Sequence, residues 1–457
     1  MKRTSFFAFL AALSLSIALH AAVAPGRIVV MISVDGLAGY YIDDPKAEMP
    51  NIRALAAEGA RAASMKAVAP SFTWPNHVTL VTGDYPAKHG VVGNNYFDRA
   101  TKKNVQLISD PVLDKDVIVH VPTVYDLAKA QGMITAAVRW PATRNAHAID
   151  YLIPELIDVK ELNQLTTPAV VELCKKDGIA FYPTMKDDPG RVDQNFIDEH
   201  ATPAFLAILR EKHPNLAMLH IIAVDHTEHA KGPKSPAVYA AVKGADEMVG
   251  EVWNELKKDY ADNATLFVVS DHGFSPIEHA LLPNVILRKA GLVDVKGPRI
   301  VSGSVHLVIQ GGAAMVYILD QANRGAIADK VEKAFTGVQG VEKVVTTEHL
   351  KDYGVGNPKD DPNAPDMMLF ANEGWVFGDT AAGAMTFVDK PERLGSHGHD
   401  PNLPDLHATF VAWGVGIKKG VNLGEIDNID VAPTIAQLLG IEMKNIDGKA
   451  LDAALMK

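Results

Sequence analysis

The sequence predicts an α/β fold built on a largely parallel central sheet flanked by helices, and three observations carry that prediction. Apolar β-type runs alternate with helical patterns along the chain, as a succession of βαβ units requires. The runs are continuous rather than alternating, which is expected of strands covered on both faces. The chain has 457 residues, 47% of them apolar and 22% charged, enough for one large domain with insertions. The same composition excludes a disordered, collagen-like or coiled-coil chain.

Taken in order, residues 27–34 form a β-branched run and residues 51–59 a helix stopped by a glycine. Residues 123–132 and 134–138 repeat the helix-then-strand order. Residues 216–224 and 264–270 are further buried strands, with a long helix over 236–260 between them. Residues 408–413 read as a late strand and 431–440 as a late helix. The stretch 291–379 differs: it is rich in Gly and Pro and carries only short strand signals, at 314–319 and 367–370. It is expected to be a smaller inserted α+β cap, dividing a core made of residues 25–290 and 380–457.

The amino terminus speaks to compartment. Lys2 and Arg3 precede an apolar run over 6–19, and Ala22-Val23-Ala24 fits a small-residue cleavage pattern. Residues 1–24 are therefore expected to be a signal peptide, too short for a membrane span, removed on export to the periplasm or the medium. No stable membrane span is expected afterwards. Cys174 is the only cysteine, so no internal disulfide can form, and its apolar neighbours suggest a core role. The net charge of −11 gives no general attraction to nucleic acid, and no duplex partner is expected. If phosphate is handled, the positive charge must be local, and bound metal is one source.

Polar residues recur at the ends of three of the buried strands: Asp35-Gly36, Asp225, and Asp271-His272-Gly273. In open parallel sheets, ligands bind in the crevice beyond these carboxyl ends. One such Asp is ordinarily a helix N-cap; three, two of them beside histidines, favour a metal site. Asp225 and His229 are four apart and share a helix face, with His226 as the competing ligand. His397 lies in Gly395-Ser396-His397-Gly398, where flexible backbone lets an imidazole reach the site. Asp and neutral His without cysteine suit a zinc-like ion outside a structural zinc site. His77, His89, His399 and His407 are expected to form hydrogen bonds or lie at the surface. Thr73-Trp74-Pro75-Asn76-His77 reads as a helix start with Thr73 as its N-cap, or as a nucleophile hydroxyl at the helix's positive end.

Together these segments resemble the nucleotide pyrophosphatase/phosphodiesterase family of the alkaline phosphatase superfamily. Val34-Asp35-Gly36, Thr73 to His77 with Thr82-Gly83, Tyr85-Pro86 with His89-Gly90 and Asn94, Trp140-Pro141, Asp225 to His229 with Gly232-Pro233, Ser270 to Gly273, and Gly395 to Gly398 stand in the family's order. The resemblance implies an alkaline-phosphatase-like core and two zinc ions. One ion would be held by Asp225, His229 and His397, the other by Asp35, Asp271, His272 and the nucleophile Thr73. Asn94 would bind a non-bridging phosphoryl oxygen, and Trp74 would pack on the leaving or nucleotide group. The implied reaction is hydrolysis of a small phosphodiester or nucleotide through a phospho-threonine. Ala142-Thr143-Arg144 replaces the family's frequent Gly-Ser after Trp140-Pro141. Arg144 is then the cation that would serve a phosphate monoesterase. A non-catalytic exported metal- or phosphate-binding protein is the remaining alternative, and it would need no nucleophile.

Overall fold

The structure is a computed structural model that describes residues 26–108 and 113–456; the proposed signal peptide lies outside them. Ile28–Val34 forms a strand with every side chain buried, as a strand covered on both faces must be. It pairs in parallel with Leu216–Ile221 on one side and Ala264–Val269 on the other. Thr135–Val138 and Tyr151–Ile153 continue the parallel run. Phe410–Gly414 joins antiparallel to Ala264–Val269, and Ala60–Arg61 and Val421–Asn422 complete an eight-stranded sheet. Side chains alternate between two apolar layers. Val30 and Ile32 pack with Leu55, Phe205 and Val249; Val29 and Met31 pack with Leu80 and Ile435. The α/β fold and its largely parallel sheet are as the sequence predicts.

Two local expectations are corrected. The strand expected to run to residue 224 stops at Ile221, and the Ala223–Lys231 helix begins at once, so Asp225 sits in its first turn. The cause is distant in sequence: the Asp198 carboxylate accepts the backbone N–H of Ile222 at 3.0 Å and of Ala223 at 2.8 Å. A carboxylate there satisfies donors that a helix start leaves bare. The second correction is at Thr73, which is the first residue of the Thr73–Thr82 helix; Phe72 holds the N-cap position with no side-chain capping bond. The Thr73 hydroxyl is thus not spent on capping.

Between the core segments, Val305–Gln310, Ala313–Ile318, Met367–Ala371 and Val341–Val345 form an antiparallel sheet. The Arg324–Phe335 helix packs with it around Leu307, Val316, Val331, Phe335 and Leu369. This unit is fastened to the core sheet's crevice. Lys343 Nζ lies 2.5 Å from Asp400 Oδ2, and Gln310 accepts from Asn94 N–H at 2.8 Å while donating to Asn95 O at 3.0 Å. Cys174 is buried, its thiol pushed up to about 11 by burial. Among the described residues no helix is long and apolar enough to cross a membrane.

The trans cap gives a direct test. Asp198→Ala should destabilise the protein by about 2–3 kcal/mol, the range for buried hydrogen bonds to a charged group. Urea denaturation followed by circular dichroism reads it, and an unchanged midpoint would show that the Ala223–Lys231 helix starts without this carboxylate.

Candidate active site

The carboxyl ends of the three central strands are held together by backbone. Asp225 N–H donates to Asp35 O at 3.1 Å, and Gly36 N–H donates to Asp271 Oδ1 at 3.2 Å. Gly36 has φ +74°, and a Cβ there would stand 3.0 Å from Asp225 Cα. Only glycine permits that turn and that approach together. Asp35, Asp225 and Asp271 are therefore delivered to one crevice by local geometry.

Their ligand atoms fall into two groups. His272 Nε2 lies 3.1 Å from Asp271 Oδ2 and 3.4 Å from Asp35 Oδ1. Asp225 Oδ1 lies 3.5 Å from His229 Nε2 and 3.6 Å from His397 Nε2. The His272 and His397 rings stack at 3.7 Å between centroids and join the groups. A ligand atom of His272 also comes within 4.8 Å of those of Asp225 and His397. We place His272 with Asp35 and Asp271, because its Nε2 approaches both of them most closely.

The hydrogen bonding divides inside from outside. Facing outward, the Nδ1 atoms of His229, His272 and His397 meet the carbonyls of Gly395, Gly273 and Ser71 at 2.9–3.1 Å. That network assigns the proton to Nδ1 and leaves the Nε2 lone pairs aimed inward. Facing inward, Asp35 Oδ1, Asp225 Oδ1, Asp271 Oδ2 and His272 Nε2 are buried with no hydrogen-bond partner. Burial pushes Asp35 well above the usual carboxylate range, with Asp225 adding to it, and pushes Asp271 up likewise, with Asp35 adding. Burial, then His272, holds His397 well below the ordinary imidazole value. Bare acceptors that repel one another, beside a His397 ring that burial keeps neutral, are what a cation relieves. This donor set fits a divalent metal.

Thr73 is 5% exposed and borders a cavity of about 410 Å³ together with Asn94, Asp225, His229 and His397. Its hydroxyl makes no hydrogen bond among the described residues. The Thr73 carbonyl accepts from His77 Nδ1 at 2.8 Å, and the same nitrogen is 3.5 Å from Asp271 Oδ2. Thr73 is thereby fixed beside the Asp35, Asp271 and His272 group. Asn94 Oδ1 accepts the Trp74 backbone N–H at 2.9 Å, which leaves its amide NH2 free for the cavity.

The structure places the other residues singled out in the sequence as follows. Trp74 does not face the cavity: it is fully buried in the core, and its ring cannot meet a ligand without moving. His226 is exposed, so His229 takes the position facing Asp225. His89 and His399 bond elsewhere, to Thr79 and to Trp375 O, and His407 lies 3.9 Å from Glu425. Arg144 is paired with Asp114 and lies 3.5 Å from Glu161, and it does not line the cavity. Gly395 serves close packing rather than flexibility, since a Cβ there would stand 2.6 Å from Glu228 O. Two residues escaped the sequence analysis. His220 places Nε2 3.0 Å from Asp35 Oδ2 and Nδ1 3.1 Å from Arg139 O. Burial alone would lower its pKa, but Glu155 leaves it raised. A lone histidine within the apolar run 216–221 was the available signal. Arg393 lines the cavity mouth, with no motif to mark it.

The chain is similar to known proteins. The family model for type I phosphodiesterase/nucleotide pyrophosphatase matches residues 29–400. The bis(5'-adenosyl)-triphosphatase enpp4 of Xenopus laevis is 25% identical, over 90% of this chain and 77% of that protein. Its human counterpart, ENPP4, is 24% identical over 90% and 78%. Among solved structures, human ectonucleotide pyrophosphatase/phosphodiesterase 5 superposes with a TM-score of 0.71 at 21% identity, covering 94% of this chain and 100% of that one, which is a likeness of fold. With the match running through the strand ends that carry Asp35, Asp225 and Asp271 and through His397, the chain belongs to the type I phosphodiesterase/nucleotide pyrophosphatase family, hydrolases of phosphoric ester or anhydride bonds.

Proposed function

We propose that this protein is an exported phosphodiesterase/nucleotide pyrophosphatase that works through a phospho-threonine intermediate on Thr73, on a site for two zinc ions. One observation carries the reading: Asp35 Oδ1, Asp225 Oδ1, Asp271 Oδ2 and His272 Nε2 are buried without a hydrogen-bond partner, while the Nδ1 atoms of His229, His272 and His397 are bonded to carbonyls. Asp225, His229 and His397 would hold one ion, and Asp35, Asp271 and His272 the other, next to Thr73. Two such ions supply positive charge that favours ionisation of the Thr73 hydroxyl and stabilises the leaving oxygen.

The chain's own residues divide the remaining work. Thr73 Oγ, its proton lost to solvent, forms the new bond to phosphorus as the bond to the leaving oxygen breaks, and water later cleaves the phospho-threonine. The helix start beneath Thr73 adds a favourable dipole for the incoming negative charge. Asn94, its carbonyl oxygen tied to Trp74 N–H, offers its NH2 to a non-bridging phosphoryl oxygen. His77 and His220 orient Thr73, Asp271 and Asp35 from behind. The monoesterase alternative leaned on Arg144, which is occupied by Asp114. Diesters, with one fewer negative charge, are the better match. The basic start and apolar run of residues 1–24 support export.

Three measurements test this. Dialysis against a strong chelator should abolish hydrolysis of the p-nitrophenyl ester of thymidine monophosphate and lower the melting temperature, with zinc restoring both best. Full activity after verified metal removal would sink the metal site. Thr73→Ala should lower kcat by three orders of magnitude or more, roughly 4 kcal/mol of barrier, while Thr73→Ser keeps a measurable fraction. An alanine variant within about tenfold of wild type would make Thr73 a bystander. Arg144→Ala should leave kcat/KM unchanged for both the diester and p-nitrophenyl phosphate; a selective loss on the monoester would restore Arg144 to the site.

A further inference from the structure

The turn Gln310-Gly311-Gly312 joins strands Val305–Gln310 and Ala313–Ile318 of the inserted sheet, and Gln310 and Gly311 line the cavity that Thr73 borders. The backbone of this turn is held from the insert's own side: Phe377 N–H donates to Gly311 O and Ala371 N–H to Gly312 O, each at 2.9 Å. Toward the core, Gly312 N–H donates to His397 O, also at 2.9 Å. From this fixed base the Gln310 side chain meets the segment that carries Asn94. Its Oε1 accepts Asn94 N–H at 2.8 Å, and its Nε2 donates to Asn95 O at 3.0 Å. One backbone donor and one backbone acceptor leave the amide a single orientation. A Cβ on Gly93 would stand 2.7 Å from Gln310 Nε2 and 2.8 Å from Asn95 O, so a larger residue there would displace this bond.

Asn94 is in turn held at three points. Besides its N–H on Gln310, its carbonyl accepts Leu107 N–H at 2.9 Å, and its Oδ1 accepts Trp74 N–H at 2.9 Å. Trp74 follows Thr73 in the first turn of the Thr73–Thr82 helix, where backbone donors lack partners within the helix. Asn94 thus supplies, from another segment, the side-chain acceptor that Phe72 at the N-cap position does not. The one polar group of Asn94 without a hydrogen bond among the described residues is its NH2. Asn94 and Thr73 line the same cavity. An unbroken series of bonds therefore runs from the inserted sheet, through Gln310 and Asn94, to the start of the helix that carries Thr73.

We propose that Gln310 is a positioning residue for the reaction: by fixing the Asn94 backbone it aligns the Asn94 NH2 with Thr73, so that the inserted sheet completes the site for a non-bridging phosphoryl oxygen. This rests on the roles given above to Thr73 and Asn94. A donor aimed in advance at developing negative charge costs no reorganisation during the reaction. Small displacements of such a group forfeit much of that gain. The side-chain bonds of Gln310 go to Asn94 and Asn95 and to none of the proposed metal ligands, so its loss should leave metal binding intact.

A double-mutant cycle tests this on the p-nitrophenyl ester of thymidine 5'-monophosphate. Gln310→Met keeps the length of the side chain without its amide. It should lower kcat about tenfold, the worth of one or two neutral hydrogen bonds, with KM within about threefold of wild type. Its metal content should match wild type. Asn94→Ala should lower kcat by about two orders of magnitude, as the loss of a donor to developing charge does. In the Asn94→Ala background, Gln310→Met should cost less than about twofold, because no amide remains to be placed. Gln310→Glu keeps an acceptor for Asn94 N–H and loses the donor to Asn95 O. It should lower kcat less, with a loss that also vanishes beside Asn94→Ala, and it carries the test if Gln310→Met does not fold. Losses that multiply in the double variants, or a wild-type kcat in the Gln310 variants, overturn the role of Gln310 and leave the hydrolase reading in place. Asn94→Ala within about threefold of wild type removes the role of Asn94, and this proposal with it. Metal-loaded wild type inert on the ester overturns the phosphodiesterase reading itself, and the proposal falls with that too.

Discussion

Three carboxylates, Asp35, Asp225 and Asp271, converge in a crevice from which water is largely excluded, and the rest of the structure answers to that crowding. Like charges about 5 Å apart repel by roughly 3 kcal/mol at an effective dielectric constant near 20. The fold provides several partial compensations. Gly36 N–H binds Asp271 Oδ1, and His220 Nε2 binds Asp35 Oδ2. Neither reaches the inward oxygens, which stay without partners. A hydrogen-bonding protein interior rarely leaves so many acceptors bare in one place. The arrangement makes sense as a site whose last partner is a cation, and it explains why a chain with net charge −11 can belong to a phosphate-hydrolysing family.

Holding such a site open demands rigidity, and rigidity here comes from contacts made across long stretches of sequence. Asp198, on the Ile197–Lys212 helix, starts the Ala223–Lys231 helix that carries Asp225 and His229. Gln310, from the inserted sheet, brackets the backbone of Asn94 and Asn95. Lys343 in the same insert pairs with Asp400, three residues beyond His397. This four-stranded sheet is thus coupled to the Asn94 segment and to the Asp400 segment. Each anchor is itself charged or amide-bearing and partly or fully buried, so it acts through directional bonds, which fix position better than apolar packing alone.

Much of this was legible in the sequence, for physical reasons. Buried parallel strands are continuous apolar runs, so Ile28–Val34 and Ala264–Val269 were found within one residue at either end. Polar residues that interrupt such runs stand out, which is why Asp35, Asp271 and His272 were found. A four-residue spacing exposed Asp225 and His229 as helical neighbours. What escaped depended on partners that no local pattern encodes. The strand running to Ile221 was overextended because Ala223 and Val224 are apolar and the Asp198 cap lies 24 residues away. Residue type makes Thr73 an N-cap candidate beside its nucleophile reading, whereas the helix reaches back to include it. Trp74 was placed against substrate by resemblance, but a large aromatic ring is also the best filler of a core, and here packing takes it. Gly395 was read as flexible when its role is to leave room for Glu228 O.

The two halves of the crevice differ in how strictly they are held, and this bears on how the site divides its labour. On the Thr73 side every group is enclosed: Asp271, His272 and His77 are all 0% exposed. Precise placement matters most there, because a displaced attacking oxygen loses the advantage of proximity. On the other side Asp225 and His229 are only partly buried, and Arg393 reaches solvent. A departing group of variable size needs an open path, and an exposed wall can change its side chains without disturbing the sheet. In the proposed function the chemistry would rest on the more buried half, and the more exposed half would meet the variable part of the substrate. A fold built this way can tolerate changes at the rim without disturbing the sheet that holds Asp35 and Asp271.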